Sequence, residues 1–244
     1  MMNAGSVFGV YPFPFRYESG DILVAVEESD PFYTYTRECK GVRVEKVITS
    51  PPGTIHINPV EPLTLPKQVT RFLEIRFPPV MVDPLAEKTL YLTFPLDIGV
   101  FIEIKGYTEK LDIFSLREQQ YSLYGPSDRG VITRYHESGI WGYIPETDPV
   151  REGVMQLAIK NAGRSWIEVS RAVFESTNMA LFFDDKVGMT GHMELFSSLV
   201  AETDIIDRPF REGMKRSIGL SSGRRAPFVE QKGFLMEHGV ADES

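Results

Sequence analysis

The stretch from Leu90 to Ile104 carries apolar residues at eight consecutive even positions, and this period of two predicts β-structure. One continuous strand of this length would span about 50 Å, far beyond the usual strand of about five or six residues. Pro95 cannot donate a hydrogen bond to a neighbouring strand, and Gly99 permits a bulge or a sharp bend. Because the alternation keeps its phase across the break, we expect the chain to pass here from one sheet to a packed partner sheet.

The rest of the chain repeats this period in short segments separated by turn residues, with no useful run of helical spacing. The 17 prolines, 20 glycines and 11% aromatic residues are typical of strands joined by many turns. The sequence therefore predicts an all-β chain with an antiparallel β-sandwich architecture, arranged as two packed sandwich-like units with few or no helices. The segments with a period of two are 21–28, 41–49, 54–59, 70–77, 130–136, 153–161, 165–176, 179–184 and 186–195.

Two shorter segments carry local signals of their own. The sequence "NAGR" at 161–164 separates two strand-like segments and predicts a β-hairpin whose Gly163 has a positive φ. Residues 207–220 fit a short helix capped by Asp207, and they also fit a strand in which Met214 and Ile218 share one face.

The segment 142–153 contains prolines and acidic residues and shows no period, so it is the best candidate for a domain boundary. Division there gives an N-terminal β-sandwich-like domain, 1–148, and a C-terminal domain, 149–244, of the size of an immunoglobulin-like β-sandwich. The alternative is one large domain, 1–244, in which this segment is a long connection.

The formal charge of −8 argues against a general nucleic-acid binder, because phosphate contacts need clustered cations. Residues 207–232 nevertheless carry seven basic and three acidic side chains, or +4, which leaves −12 for the rest of the chain. These cations are candidates for docking an acidic partner surface or anionic headgroups. The partner that we expect is another protein or a second copy of the chain. In the other interpretation they balance acidic strands of the same chain. The candidate partner-binding residues are Arg208, Arg211, Lys215, Arg216, Arg224 and Arg225.

Several classes of site are missing from the sequence. It contains no phosphate-binding glycine loop, nucleophile elbow, zinc-protease motif or calcium loop, so no cofactor is expected. The lone Cys39 excludes an internal disulfide and a thiolate zinc site. The first 15 residues lack the features of a signal peptide, and no run approaches the roughly 18 apolar residues of a membrane span. We therefore expect a cytoplasmic protein without a transmembrane segment.

The stretch "RYHESGIWGY" is the most chemically suggestive part of the chain. Its aromatic side chains are suited to stacking on a sugar or another flat ligand, with charged groups to fix polar atoms and an imidazole that titrates. The alternative is a hairpin whose aromatics fill a seam between sheets while its charges face water. The candidate ligand-binding residues are Arg134, Tyr135, His136, Glu137, Trp141 and Tyr143.

A weaker candidate is a metal site formed by Asp184, Asp185 and His192, since oxygen and nitrogen ligands suit several divalent ions. The competing interpretation makes the two aspartates part of a hairpin turn, because Asp readily accepts hydrogen bonds from its own turn backbone.

Several strings taken together resemble a family of archaeal proteins catalogued as a domain of unknown function, number 432. The resemblance extends from about residue 40 to 236. It implies an archaeal, cytoplasmic protein, and it implies no activity, substrate or catalytic residue. The strings are "HINPVEPLTLPKQVTRFLEIRF", "KTLYLTFPLDIGVFIE", "LDIFSLREQQYSLYG", "REGVMQLAIKNAGRSWIEVSRAVFES" and "RPFREGMKRSIGLSS".

The sequence thus favours a non-enzymatic binding protein that acts through its β-sandwich surfaces and its basic C-terminal residues. The alternative is a protein that binds a small, sugar-like ligand, or an enzyme, centred on residues 134–143.

Overall fold

A computed structural model describes residues 7–20, 22–62, 69–175, 179–220 and 233–241 of the chain. Within these ranges the protein is all-β and contains no helix, which confirms the predicted fold class. No described segment therefore forms a helix long and apolar enough to cross a membrane. The strands are β1 (Gly9–Pro12), β2 (Phe15–Ser19), β3 (Ile22–Ser29), β4 (Phe32–Cys39), β5 (Val42–Ile48), β6 (Thr54–Val60), β7 (Phe72–Val82), β8 (Glu87–Pro95), β9 (Asp97–Ile104), β10 (Tyr107–Phe114), β11 (Gln120–Tyr124), β12 (Val131–Glu137), β13 (Glu152–Asn161), β14 (Ile167–Glu175), β15 (Phe182–Phe183), β16 (Val187–Leu195), β17 (Ala201–Ile206), β18 (Lys215–Arg216) and β19 (Phe234–Met236).

The strands form four sheets. Sheet I is the meander β2-β3-β4-β5, and sheet II has the order β1-β6-β9-β10. Sheet III has the order β11-β12-β7-β14. Sheet IV has the order β18-β15-β16-β13-β8, and β17 joins β16 to β19 at its far side.

Most neighbouring strands are antiparallel, as predicted, but two ladders are parallel. These are β12 with β7 and β13 with β16. The strands of each parallel pair are far apart in sequence, so no turn between them could reveal the pairing.

Two hairpins in the N-terminal half use the same dipeptide. Lys40 and Gly41 join β4 to β5, while Lys105 and Gly106 join β9 to β10. All four residues have positive φ, between 49° and 80°. Left-handed backbone at both central positions matches the twist of two-residue hairpins, and the glycine makes it accessible.

The run from Leu90 to Ile104 breaks where the sequence predicts. Strand β8 ends at Pro95 in sheet IV, and β9 begins at Asp97 in sheet II. Leu96 lies between them with no exposed surface. The chain passes from one sheet to another at a proline, and both halves of the run stay in the core.

The predicted hairpin at 161–164 is wrong. Strand β13 pairs with β8 and β16, and β14 pairs with β7, so the chain crosses here from sheet IV to sheet III. Gly163 is not among the glycines with positive φ. The buried Asn161 organises the crossing, because its Nδ2 donates to the carbonyls of Val82 (3.0 Å) and Ser165 (2.8 Å) while its Oδ1 accepts from Gly163 N (2.9 Å).

The sheets pack as two layered pairs. Tyr35 Oη and Arg37 Nε of sheet I each donate 3.0 Å hydrogen bonds to Asp112 of sheet II. Between sheets III and IV, the Phe174 ring lies so close to Gly191 that a Cβ there would sit 3.3 Å from it. One apolar cluster of buried residues runs through both pairs.

Strands from both sides of residue 148 share sheets III and IV, through the ladders of β7 with β14 and β8 with β13. Whether 1–148 and 149–244 fold independently stays a prediction.

Residues 207–220 contain no helix, and their only regular element is β18.

Candidate functional site

A group of polar side chains lies buried where β8, β9 and β12 meet. We call Thr93, Asp97, Arg134, His136 and Ser138 the polar centre. Each is at most 8% exposed. The parallel ladder with β7 sets Arg134 beside Leu73 and His136 beside Ile75, so β12 presents a cation and an imidazole where its neighbour presents core residues.

Asp97 is the first residue of β9 and has no exposed surface. Neither carboxylate oxygen has a hydrogen-bond partner within the described ranges. The nearby Ser115 hydroxyl donates instead to the Arg117 carbonyl, at 3.2 Å. Burial raises the pKa of Asp97 to about 7, although Arg134 and Ser115 act to lower it and Glu61 adds to the rise. The group therefore changes charge close to neutral pH.

Arg134 is 1% exposed, and none of its three guanidinium nitrogens has a hydrogen-bond partner among the described residues. The Tyr121 ring lies over the guanidinium, with its centroid 5.8 Å from Cζ. Burial lowers the pKa of Arg134, and Asp97 acts in the opposite direction. A buried charge without a close counter-ion costs several kcal/mol. Tyr121 also acts to raise the pKa of Arg134. Within the described ranges, however, no acceptor lies in hydrogen-bond geometry with this guanidinium.

His136 is held in place by neighbours on β8 and in the following turn. Its Nε2 lies 2.9 Å from Thr93 Oγ1. The Thr93 backbone NH donates to Ser138 Oγ (2.7 Å), which in turn donates to the Gly139 carbonyl (2.7 Å). Burial, and then the charges of Arg117 and Arg134, lower the pKa of His136 to about 3. The imidazole is therefore neutral at physiological pH and acts as a hydrogen-bonding group.

The remaining candidates from the same stretch lie elsewhere. Tyr135 and Glu137 are on the opposite face of β12, where Tyr135 Oη donates to Glu137 Oε1 at 2.6 Å. Burial and the Glu137 carboxylate raise the pKa of Tyr135 to about 12. The Trp141 ring packs on Gly139, and its backbone exchanges hydrogen bonds of 2.9 and 3.0 Å with Tyr91. Tyr143 is 68% exposed. The structure brings Arg134 and His136 together and leaves the other four apart.

An open groove of about 550 Å³ lies along the segment that connects β10 to β11. Its lining includes Arg37, Lys40, Ser115 and Arg117. Arg117 also forms an ion pair with Glu152. Ser115 and Arg117 thus line the groove and also act on the pKa values of Asp97 and His136, respectively.

The proposed metal ligands are not brought together. Asp184 and Asp185 both form ion pairs with Arg211, the first at 2.6 Å. Burial acts to raise the pKa of Asp184, but hydrogen bonds from Arg211 and from the Lys186 backbone lower it below its ordinary value. His192 lies five residues beyond Val187, the first residue of β16, so the strand carries it about 17 Å away from the turn that contains the two aspartates. No group of three metal-binding side chains occurs within the described ranges.

The basic residues of the C-terminal part form two classes. Arg211 is paired with the two aspartates, and Arg216 binds Asp207 at 2.6 Å. Arg208 and Lys215 are exposed and form no ion pair with any described residue. Arg224 and Arg225 lie outside the described residues. The surface is therefore partly neutralised by the chain itself.

Sequence reasoning missed Asp97. Its signal was a lone carboxylate inside an apolar run, directly after the residue where the strand breaks. Acidic residues are almost never fully buried unless they are paired, so an acid at a core position of the pattern marks an unusual site.

Comparison with known proteins assigns the chain to a family. The model of the family described as "Protein of unknown function (DUF432)" matches residues 7–237, so the chain belongs to this family. No curated protein and no solved structure matches the chain.

Proposed function

We propose that the protein acts by binding and not by catalysis, and that its ligand is a small anion held by Arg134. The observation that carries this proposal is the buried guanidinium whose three nitrogens have no hydrogen-bond partner among the described residues. A carboxylate or phosphate-type oxyanion supplies two oxygens in the geometry that a guanidinium binds best. Such a ligand offsets the cost of the buried charge.

Asp97 gives this proposed site a dependence on pH. An anion near Asp97 favours its protonated form, so binding takes up a proton and strengthens as the pH falls from 8 to 6. The protonated carboxyl also donates a hydrogen bond to a ligand oxygen. The groups that face Asp97 are Arg134, Ser115 and Glu61.

Titration calorimetry and thermal unfolding with acetate, phosphate and citrate test the proposal. We expect at least one of these anions to bind and to raise the Tm of the wild-type protein. Arg134→Met, which retains a long apolar side chain, removes the effect, and Asp97→Asn removes its pH dependence. Arg129→Gln, at an exposed arginine, serves as the control. Equal Tm shifts in the wild type and the Arg134→Met variant exclude the site.

A second candidate function is docking of a protein partner on the basic surface formed by Arg208, Arg211, Lys215 and Arg216. It is favoured by the two exposed cations without ion pairs, beside two others held in place by aspartates. Changing all four to glutamine should weaken a salt-sensitive pulldown, while a Lys105, Lys110 and Arg129 triple variant should not. Retention of every partner at low salt by the quadruple variant rules this function out.

The family resemblance supports an archaeal origin and a cytoplasmic location, which we include in the proposal. The net charge of −8 supports the absence of general nucleic-acid binding.

A further inference from the structure

Two acidic side chains lie close together where β6 ends and β9 begins. Asp97 is directly opposite Val60 in the ladder between these strands, and Glu61 is the next residue after Val60. Glu61 is only 4% exposed. Burial raises the pKa of Asp97, and the negative charge of Glu61 adds to the rise. The polar centre therefore has a second buried carboxylate beside it.

Glu61 is held in this position by the segment that follows β18. Its Oε2 accepts a hydrogen bond from the Leu220 backbone NH, at 3.3 Å. In the same segment, the Ser217 hydroxyl donates to the carbonyl of Pro59, two residues before Glu61. The negative charge of Glu61 is thus a fixed part of the surroundings of Asp97.

On the cationic side, Arg134 has one neighbour of like charge. Burial lowers the pKa of Arg134 and that of His136, and the positive charge of Arg117 adds to both effects. Arg117 is itself paired with Glu152, and its side chain is 36% exposed, so that its charge is already balanced and partly hydrated. Within the polar centre, whose His136 is neutral, Arg134 alone carries a positive charge that a ligand can balance.

The strands around these charges supply apolar walls. Leu96 and Ile98, on either side of Asp97, have no exposed surface. Leu73 lies beside Arg134 in the ladder of β7 with β12, and it is also fully buried. In surroundings of low dielectric constant, a charge without a counter-charge is strongly unfavourable. The number of charges on a ligand therefore matters more here than it does at a protein surface.

We propose that the polar centre selects monovalent oxyanions, such as a monocarboxylate, over divalent ones. This inference rests on the proposed function, in which Arg134 binds the anion. One negative charge on the ligand balances the guanidinium. A second negative charge would be buried close to Glu61, with no further cation in the polar centre to balance it. The ligand class is therefore a small organic acid with one carboxylate, and not a phosphate ester or a dicarboxylate.

Titration calorimetry of the full chain with perchlorate and sulfate tests the selectivity, because these two tetrahedral ions have similar sizes and differ by one charge. Formate is the carboxylate probe, and all titrations are made at pH 6 and at one ionic strength. We expect the wild type to bind formate and perchlorate at least about tenfold more tightly than sulfate. Arg134→Met should remove the binding of all three ions.

Glu61→Gln separates the effect of charge from the different hydration of the two ions, since the same ions are compared in both proteins. The glutamine keeps an oxygen that accepts from the Leu220 NH. We expect the ratio of the perchlorate affinity to the sulfate affinity to fall by at least about threefold. The matched control is Glu109→Gln, which removes the same charge from an exposed position on β10 and should leave the ratio unchanged.

The outcomes distinguish this inference from the proposed function. Sulfate binding as tight as that of perchlorate, and lost in Arg134→Met, overturns the selectivity while the anion site stands. No binding of any of the three ions, or equal binding in the wild type and Arg134→Met, overturns the inference and the proposed function together. A wild-type affinity ratio in Glu61→Gln, or an equal change in Glu109→Gln, overturns the inference alone.

Discussion

Asp97 and His136 respond to burial in opposite senses, because burial disfavours the charged form of each group. Burial raises the pKa of Asp97 to about 7 and lowers that of His136 to about 3. Between about pH 4 and 6.5 the folded chain therefore keeps a proton on Asp97 and excludes one from His136, compared with the unfolded chain. As the pH rises through this range, the contribution of Asp97 to the stability of the fold falls and that of His136 grows. The two pH dependences therefore partly cancel.

Replacing Asp97 by Asn removes the first of these contributions. The wild type loses the Asp97 contribution as the pH rises through about 7, and the variant does not. We expect Asp97→Asn to gain stability relative to the wild type between pH 5 and 8, by on the order of 3 kcal/mol. Urea unfolding at four pH values in this range measures the difference. A difference in the free energy of unfolding that does not change with pH would contradict the raised pKa of Asp97.

Replacing His136 by Gln removes the second contribution and keeps a polar group near Thr93. Below about pH 6.5, His136 is protonated in the unfolded wild-type chain, whereas the buried imidazole of the folded chain stays neutral. The free energy of unfolding of His136→Gln should therefore rise relative to the wild type as the pH falls from 7 to 5, by about 2 kcal/mol. Parallel pH profiles for the two proteins would show that His136 titrates normally in the fold.

For single residues, the sequence predicts part of the polar centre. Residue type and clustering indicated Arg134 and His136, but the same argument grouped them with Tyr135 and Glu137, which strand alternation places on the opposite face. Asp97 is distant in sequence and meets Arg134 only through the pairing of β12 with β7 and the break after β8. No local sequence pattern predicts that Asp97 and Arg134 are neighbours in the fold.

Among the elements, the crossing between β13 and β14 depends on one side chain. Asn161 has no exposed surface and joins three backbone groups of the turn and of β7. Asn161→Ala removes all three hydrogen bonds and leaves the buried Val82 carbonyl without its side-chain donor, so we expect a loss of about 1–3 kcal/mol in chemical denaturation. The neighbouring Lys160→Ala removes an exposed ion pair with Glu194 and should cost far less stability than Asn161→Ala. Equal losses in the two variants would contradict the role of Asn161.

The period of two located most strands because each has one face in the core, and it placed the break near Pro95. It did not show that the crossing at 161–164 joins two sheets, because a hairpin and a crossing use the same turn residues. The two parallel ladders were also invisible, since their strands pair across long sequence separations.

For the whole molecule, one apolar cluster of buried residues runs through both pairs of sheets, and we predict from it that the chain unfolds as one cooperative unit. Both tryptophans lie among sheets III and IV, at Trp141 beside β8 and at Trp166 just before β14. Their fluorescence therefore reports on one half of the core. Ile55, in sheet II, is fully buried in the other half.

Truncating Ile55 tests whether the halves unfold together. Ile55→Ala leaves a cavity and should cost about 2–5 kcal/mol. If the core is one unit, the midpoint of the tryptophan transition falls together with that of far-ultraviolet circular dichroism, although neither tryptophan is in sheet II. Val47→Ala, at an exposed position of β5, should change neither midpoint. A tryptophan transition that stays in place while the dichroism signal splits would instead show two independently unfolding halves.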